Sequence, residues 1–333
     1  MTVDAKPFAV AVCASALPIG REVYETVLGD VASVVLLPEF DPGARADALR
    51  RANAIIVLAP HVELSAEERG NLDALRFVQT LSVGIDHIPP GLFPDDLPMG
   101  NTAGAAAPAI AEHIVAMALA AAKRLMAEHA NLAAGRFGYG RENRMLAGGT
   151  ACLYGYGEIG RETARLLRAF GMRIEAINRS GRRDENVDWI GDDADLEGCL
   201  DRCDLLAVTA SLNPATRGRI GAAELTRMKS DAILVIASRA AIVDQAALYR
   251  HLQDNPGFTA CIDTWWRETM ALDTPFEPEL PFLDLPNVIG SPHNSGLVPG
   301  ALDMLATSAA RNVRNFLTGE GPVAFVADAD RAA

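Results

Sequence analysis

Short runs of Val, Ile, Leu and Ala alternate with helix-length segments along almost the whole chain. In the first hundred residues these runs are FAVAVCA, ASVVLLP, NAIIVLAP and RFVQTLS. A second series contains GTACLYGYG, MRIEAIN, DLLAVTA, AILVIAS, FTACID and NVIGSPH. Strands this rich in branched apolar residues, separated by helices, are typical of parallel sheets covered on both faces. The pattern predicts an α/β protein with four strands in the first series and six in the second.

A long alanine-rich segment, AIAEHIVAMALAAAKRLMAEHA, follows the break at Pro98 and Gly100. Its apolar side chains recur every three or four residues and predict one helix: Ile110, Ile114, Met117, Ala121 and Leu125. A helix here would connect two domains, and 333 residues exceed what one core usually serves. One large sheet through the whole chain remains the alternative. The last residues, FVADADRAA, read as a frayed tail.

Charge and composition limit the possible partners. The formal net charge of −13 repels phosphate backbones and anionic membranes, so neither nucleic acid nor a membrane is expected as a partner. A small anionic substrate would need a local arginine cluster or helix N-termini. The five cysteines lie mostly in apolar runs and read as buried small side chains, without metal-ligand spacing. The N-terminus lacks the pattern of a secretory signal, which favours a cytoplasmic protein.

Three glycines follow the first strand of the second series. LYGYGEIG places Gly155, Gly157 and Gly160 at G-x-G-x-x-G spacing, a weak pattern by itself. A buried strand precedes it, and five following residues share one face of a helix that ends at Gly171: Ile159, Thr163, Leu166, Leu167 and Phe170. This order of strand, glycines and helix favours a dinucleotide-binding turn over a merely structural one. Gly155 would allow the turn, Gly157 the approach of a pyrophosphate, and Gly160 close packing of helix on strand.

The end of the next strand bears on which dinucleotide binds. An acidic residue about 20 positions past the glycines would accept hydrogen bonds from an NAD ribose. Here Asn178 stands at that place, and Arg179, Ser180, Arg182 and Arg183 follow. Cations and a hydroxyl suit a 2′-phosphate, although a solvated basic loop is the plain alternative. We expect NADP(H) to be preferred, with NAD(H) possible.

From Leu81 to Gly296 the chain resembles the D-isomer-specific 2-hydroxyacid dehydrogenases. The motifs occur in unbroken order: LSVGIDHI, NTAG with AEH, GYGEIG, PATRGRIGAAELTRMK, VIASRAAIVD, ACIDTWWRE and GSPHNSG. The resemblance implies an oxidoreductase, similar to glyoxylate and hydroxypyruvate reductases, that interconverts a small 2-oxo acid and its D-2-hydroxy acid.

The resemblance also assigns the candidate catalytic residues. Arg239 offers a planar fork for the carboxylate and carbonyl of a 2-oxo acid. His293 would exchange the proton of the substrate hydroxyl, because histidine is the usual donor near neutral pH. Glu268 matches the acid partner of that histidine, and a carboxylate beside an imidazole favours the protonated ring. The other five histidines, among them His113, read as structural.

The remaining site residues follow by the same matching. The backbone amides of Val83 and Gly84 resemble the clamp for the substrate carboxylate. The cofactor-binding set comprises Gly155, Tyr156, Gly157, Glu158, Ile159, Gly160, Asn178, Arg179, Ser180, Ala210, Ser211, Thr216, Ala237, Ser238, Asp263 and His293. Asp263 matches a contact to the nicotinamide end, whereas Asp244 reads as a helix N-cap.

The family architecture implies two doubly wound parallel-sheet domains with a cleft between them. A Rossmann cofactor domain, residues 101–296, would be inserted into a flavodoxin-like substrate-binding domain, residues 1–100 and 297–333. The C-terminal helix would return to the first sheet. The alanine-rich helix and the arm NLAAGRFGYGRENR resemble a dimer contact, so a homodimer is expected.

Some positions depart from the family pattern and leave alternatives open. Ala240 replaces the usual glycine after the arginine, and Asn294, Ser295 and Gly296 follow the histidine. Trp265 and Trp266 stand where smaller or single aromatic residues are common, and would either shape the pocket or fill the surface between domains. Two other functions remain possible: a cofactor-sensing regulatory protein, and a formate- or phosphite-type dehydrogenase. The presence of Glu268 disfavours the second.

Overall fold

The computed structural model describes residues 6–14, 17–179, 181, 183–269 and 274–331. Its strands are β1 Phe8–Val12, β2 Ala32–Leu36, β3 Ala54–Val57, β4 Phe77–Thr80, β5 Met99–Gly100, β6 Thr150–Tyr154, β7 Arg173–Ile177, β8 Trp189–Gly191, β9 Leu205–Val208, β10 Ile233–Ile236, β11 Thr259–Ile262 and β12 Val288–Gly290. Its helices are α1 Arg21–Leu28, α2 Pro42–Arg51, α3 Pro60–Glu63, α4 Ala66–Arg69, α5 Ala107–Ala122, α6 Leu125–Ala133, α7 Glu158–Ala169, α8 Leu196–Leu200, α9 Ala222–Arg227, α10 Gln245–Asp254, α11 Ala301–Thr318 and α12 Asp328–Arg331.

The chain forms two compact units, one of residues 1–106 and 299–333 and one of residues 107–298. We call them the first and the second unit. Each has its own sheet, so the alternative of one large sheet is wrong. The first sheet has the order β2-β1-β3-β4-β5 and the second β12-β11-β10-β9-β6-β7-β8. All named strand pairs are parallel, which confirms the predicted α/β class.

In the first unit the C-terminal part of the chain packs on the N-terminal sheet. Ala306, Ala309, Ala310 and Val313 of α11 belong to the same buried cluster as the apolar residues of β1 and β3. This packing agrees with the family expectation. The tail is more ordered than predicted, because the Val326 N–H donates to the Met99 carbonyl and α12 follows.

In the second unit the helices bury the sheet from both sides. Every residue of β9 and β10 is buried, as expected for central strands of a parallel sheet. Two short strands, β5 and β8, are absent from the sequence prediction. The predicted long helix is two helices, α5 and α6, since Arg124 takes a left-handed conformation at φ 53° between them. Phe170, placed by the sequence on the buried face of α7, is 43% exposed because it lies beyond the helix end.

The five cysteines are buried, as expected, but two of them are bonded to each other. Cys152 on β6 and Cys199 on α8 form a disulfide, a pairing that the sequence does not predict. Asp244 caps α10, accepting from the Ala247 N–H at 2.7 Å, as predicted. Among the described residues no helix is both long and apolar enough to cross a membrane, and none forms a cluster suited to a metal ion.

Candidate active site

The candidate residues of the second unit follow the carboxyl ends of neighbouring strands. Gly155 follows β6, Ala210 follows β9 and Arg239 follows β10, while Asp263 and His293 follow β11 and β12. Because the strands are parallel, these positions share one edge of the sheet. The strand order reverses between β6 and β9, and ligands of open α/β sheets bind outside such a switch point.

The His293 imidazole is paired with the Glu268 carboxylate. The distance from His293 Nδ1 to Glu268 Oε2 is 2.8 Å. Both side chains keep some access to solvent, 33% for His293 and 26% for Glu268. With Nδ1 facing the carboxylate, Nε2 is the ring nitrogen available to exchange a proton with a substrate. The sequence places these residues 25 positions apart, and the structure brings them together.

Several contacts act on the pKa of Glu268. Burial by itself raises this pKa, but the hydrogen bonds from His293 and from the Trp265 N–H lower it, and the charges of His293 and Arg239 lower it further. The net effect holds the pKa of Glu268 below its usual value. The carboxyl group is therefore ionised at neutral pH and can accept a hydrogen bond from His293 Nδ1.

The turn that carries His293 is organised around Asp263, whose side chain is fully buried. The Ser291 hydroxyl donates to Asp263 Oδ1 at 2.5 Å, and the N–H groups of Asn294 and Ser295 lie 3.2 and 3.4 Å from the two carboxylate oxygens. The His293 N–H donates to the Asp263 carbonyl at 2.8 Å. His293 itself has φ 51°, a left-handed conformation that is uncommon for residues with a side chain. The hydrogen bonds to Asp263 hold this turn in place.

Arg239 lies on the same side of the sheet as the histidine–glutamate pair. It follows β10, is half-buried, and its Nη1 donates to the Ser238 carbonyl at 2.9 Å. Its positive charge adds a small lowering of the pKa of Glu268 to the larger effects of the hydrogen bonds from His293 and the Trp265 N–H. The structure therefore groups a guanidinium, a carboxylate and an imidazole, which together can bind an acid and exchange a proton.

The three glycines have different surroundings. Gly155 has φ 108°, and a Cβ there would lie 2.4 Å from the Ala210 backbone nitrogen. A Cβ at Gly160 would lie 2.4 Å from the Gly155 carbonyl oxygen. At Gly157, which immediately precedes α7, a Cβ would meet no described atom within 4 Å. The first and third glycines thus permit close packing, whereas the second leaves open space at a helix N-terminus, which fits a dinucleotide pyrophosphate.

One further observation fits a bound cofactor at this edge. Ser238 Oγ is buried and finds no hydrogen-bond partner among the described residues. Ala237, beside it, is 6% exposed at the end of β10. Thr216 Oγ donates to the Ser211 carbonyl at 2.8 Å and so shapes the loop after β9. The four other residues predicted to line the cofactor near the turn have mixed exposure, Tyr156 buried, Ile159 half-buried and Gly157 and Glu158 exposed.

The segment after β7 is tied to the glycine turn through Asp184. Asp184 Oδ1 accepts from the Tyr156 hydroxyl at 2.6 Å, and Oδ2 accepts from Arg161 Nε at 2.8 Å. Asn178 enters this segment with its N–H donating to the Gly191 carbonyl, and Arg179 is exposed. Ser180 and Arg182, both named from the sequence, lie outside the described residues.

Val83 and Gly84 lie in the first unit, in the loop after β4. The Val83 carbonyl accepts from Asn101 Nδ2 at 3.0 Å and the Gly84 carbonyl from Ser82 Oγ at 2.8 Å. Their own N–H groups donate to no other residue in the described ranges. This arrangement presents two neighbouring donors from a loop whose carbonyls are held.

Sequence reasoning did not predict the contacts that two residues, His113 and Trp265, make at the site. His113 of α5, interpreted as structural, has Nε2 at 2.9 Å from Ser291 Oγ and 3.6 Å from Asp263 Oδ1. Trp265 donates its N–H to Glu268 Oε1 at 2.7 Å. Neither tryptophan side chain lies in the open: the rings of Trp265 and Trp266 pack with Phe282 in the core of the second unit. Only the position of Trp265 close to Glu268 in the sequence could have signalled its contact.

Comparisons with known proteins identify relatives of this chain. The family model of the D-isomer specific 2-hydroxyacid dehydrogenase NAD binding domain matches residues 115–295. A glyoxylate reductase of Aeropyrum pernix is 32% identical over 262 residues, 74% of this chain and 75% of that protein. A glycerate dehydrogenase related protein from Thermoplasma acidophilum superposes with a TM-score of 0.62 at 28% identity, over 93% of this chain and 99% of the other. The NAD complex of a D-isomer specific 2-hydroxyacid dehydrogenase from Lactobacillus delbrueckii ssp. bulgaricus shares the fold, with a TM-score of 0.77 at 18% identity over 96% and 100% of the chains.

Proposed function

The chain belongs to the D-isomer specific 2-hydroxyacid dehydrogenase family, an oxidoreductase family, and we propose that it reduces a small 2-oxo acid to its D-2-hydroxy acid with NADPH. The observation that carries the proposal is the 2.8 Å contact between His293 Nδ1 and Glu268 Oε2 at the carboxyl edge of the second sheet. A proton donor, its acid partner and the charge of Arg239 meet there. These are the groups that reduction of a 2-oxo acid requires.

Each of the three side chains has a distinct role. The Arg239 guanidinium binds the carboxylate and the carbonyl oxygen of the substrate and stabilises the negative charge that develops on that oxygen. His293 gives the proton from Nε2 to the oxygen during reduction and takes it back during oxidation. Glu268 fixes the ring orientation through Nδ1 and stabilises the charged imidazole. The N–H groups of Val83 and Gly84 bind the substrate carboxylate.

The second unit binds the cofactor, and the first unit contributes the N–H groups of Val83 and Gly84 to substrate binding. A nicotinamide cofactor, when bound, supplies the hydride for the carbonyl carbon. Gly157 and the N-terminus of α7 receive the pyrophosphate, because the space beside this glycine is open. Ala210, Ser211, Thr216, Ala237 and Ser238 line the remainder, and Asp263 serves the nicotinamide end through the turn that its carboxylate holds.

The preference for NADPH rests on the segment after β7. Asn178 carries no charge to repel a 2′-phosphate, and Arg179 supplies a cation next to it. Replacing Arg179 with alanine would raise the KM for NADPH by at least tenfold and leave that for NADH nearly unchanged, because only NADPH carries the phosphate. Arg165→Ala, which changes an exposed arginine of α7, is the control. A lower KM for NADH than for NADPH in the wild-type enzyme would overturn the preference.

Glyoxylate and hydroxypyruvate are the substrates that we expect first. The Aeropyrum pernix relative is named a glyoxylate reductase, and 32% identity over three quarters of both chains supports a substrate of similar size. Both acids carry the carboxylate and adjacent carbonyl that Arg239 can bind together.

We also expect a homodimer formed by the second unit. Helix α6 and the arm that follows it, residues 125–145, expose large apolar side chains: Leu125, Met126, Leu132, Phe137, Tyr139 and Met145. Apolar side chains concentrated in one segment mark an association surface.

The activity is tested by following NADPH oxidation at 340 nm with a panel of 2-oxo acids from glyoxylate to phenylpyruvate. His293→Ala should lose at least a hundredfold in kcat, because it removes the proton donor. His61→Ala, which changes an exposed histidine of the first unit, should keep full activity. Cofactor binding without reduction of any acid would instead support a sensing protein. Turnover of formate or phosphite would support the other alternative.

A further inference from the structure

Trp265 makes two hydrogen bonds that join the loops carrying Glu268 and His293. Its backbone N–H donates to Glu268 Oε1 at 2.7 Å, and its indole Nε1–H donates to the Ser291 carbonyl at 2.9 Å. Ser291 stands two residues before His293 in the chain. One residue therefore holds both members of the pair, one through its main chain and one through its side chain.

The indole is itself held by its neighbours. It is 9% exposed and packs edge-on against Phe276, with ring centroids 4.9 Å apart. The missing side chain of Gly290 leaves room for the indole, because a Cβ at this position would lie 2.9 Å from Trp265 Cζ2. Gly290 directly precedes Ser291, so the bare backbone at this position allows the indole to reach the carbonyl.

The segment that receives this hydrogen bond needs support. His293 has a left-handed backbone with φ 51°, which costs conformational energy in a residue with a side chain. Asp263 holds the turn from one side through His293, Asn294 and Ser291. The indole of Trp265 holds the Ser291 backbone in addition, and its own main chain fixes the carboxylate that orients the ring.

We propose that Trp265 is a positioning residue for the reaction, which sets the distance between Glu268 and His293 through its indole hydrogen bond to Ser291. The inference rests on the proposed roles of His293 and Glu268. A phenylalanine at this position would keep an aromatic ring in the core and would lack the donor. The Ser291 carbonyl would then lose its partner, and the histidine turn would be free to shift.

Trp266 provides a matched control within the same core. Its indole Nε1–H donates to the Val243 carbonyl at 2.8 Å, and its ring stacks on Phe282 with centroids 5.2 Å apart. Both tryptophans thus make one indole hydrogen bond to a backbone carbonyl and contact the same phenylalanine. Only the bond of Trp265 reaches the histidine turn.

The first measurement needs no turnover. In protein labelled with ¹⁵N-histidine, the proton on His293 Nδ1 should give a low-field signal, assigned by its loss in His293→Ala. Trp265→Phe should broaden or shift this signal, whereas Trp266→Phe should leave it as in the wild type. An unchanged signal in Trp265→Phe, equal changes in both variants, or no ordered signal in the wild type would each overturn the proposal.

The second measurement compares kinetics in the full-length enzyme. Trp265→Phe should lower kcat by about tenfold while the KM for the cofactor stays within about twofold, because the reacting groups lose alignment and the cofactor site is unchanged. Trp266→Phe should keep kcat within about twofold. When Glu268→Gln is already present, adding Trp265→Phe should lower kcat little further. A full additional tenfold loss of kcat would contradict the mechanism. If no 2-oxo acid is reduced by the wild type, the proposed function fails, and the histidine signal still decides the role of Trp265.

Discussion

Glu268 is the residue whose environment determines the pH behaviour of the site. Burial raises its pKa, but hydrogen bonds from His293 and the Trp265 N–H, together with nearby positive charge, lower the pKa below the usual 4.5. A carboxyl group with a lowered pKa in the folded state stabilises the protein above its unfolded-state pKa. That contribution is lost as the pH falls through the lower, folded-state value.

Glu268→Gln should therefore show two separable effects. The kcat for reduction at pH 7 should fall by roughly 10- to 100-fold, because the ring loses its charged partner while glutamine can still accept from the Trp265 N–H. The variant should also melt below the wild type at pH 7, and the difference should shrink as the pH falls below about 4.5. Steady-state kinetics and melting curves from pH 3 to 8 measure both. A melting difference that grows towards acid would show that the carboxylate is not the stabilising form.

At the residue scale the sequence predicts which residues are catalytic candidates better than it predicts which residues contact them. Arg239, Glu268 and His293 stand in motifs and can be named from them. The hydrogen bond from the Trp265 indole depends on Gly290, 25 positions away, and on the packing of Phe276, so no local sequence pattern predicts it. His113 contacts Ser291 across 178 residues of sequence, and for this reason it reads as an ordinary helix histidine.

At the element scale the glycine turn allows structure and function to be separated. Gly160→Ala would place a Cβ 2.4 Å from the Gly155 carbonyl oxygen, whereas Gly157→Ala would place one in open space. Gly160→Ala should lower the melting temperature of the protein without any cofactor. Gly157→Ala should fold with nearly unchanged stability and weaken NADPH binding by at least tenfold, since the methyl group occupies the place of the pyrophosphate.

Thermal melting with and without NADPH measures both glycine variants. The wild type and Gly160→Ala should each gain stability on adding the cofactor, and Gly157→Ala should gain much less. If NADPH stabilises Gly157→Ala as much as the wild type, the pyrophosphate does not bind at this turn.

The Asp184 contacts make a second prediction at this scale. Burial raises the pKa of Asp184, but hydrogen bonds from Tyr156, Asn186 and Arg161 lower it below its usual value, so the group is a charged anchor for the segment after β7. Asp184→Ala should release that segment and reduce kcat/KM for NADPH more than for NADH, because Arg179 lies in it. Glu185→Ala, an exposed neighbour, is the control. Equal losses with both cofactors would show that the anchor does not serve the 2′-phosphate.

The sequence predicts the presence of a strand where its apolar run is long. All ten predicted strands are present, and the central ones, β9 and β10, are continuous apolar runs. β5 and β8 have two and three residues and stand outside the apolar runs read from the sequence. The break between α5 and α6 occurs at Arg124, without the glycine, asparagine or proline that marks most helix ends.

At the scale of the whole molecule, connectivity is what periodicity cannot provide. Hydrophobic spacing does not predict that α11 packs on the sheet formed by residues near the N-terminus. That expectation came from the family resemblance. The net charge of −13 belongs to this scale as well, because it opposes the approach of any anionic substrate and leaves attraction to local groups such as Arg239.

The proposed homodimer gives the last prediction. In the arm of residues 125–145, Phe137 is 82% and Tyr139 94% exposed, more than isolated surface residues of this size usually are. Light scattering should give twice the chain mass of 35.4 kDa for the wild type. The double variant Phe137→Asp, Tyr139→Asp should shift the protein towards monomer, because carboxylates would be buried in an apolar contact. Val62→Asp, at a valine 77% exposed on the first unit, should leave the mass unchanged. A wild-type monomer, or a dimer that survives the double change, would require another role for the arm.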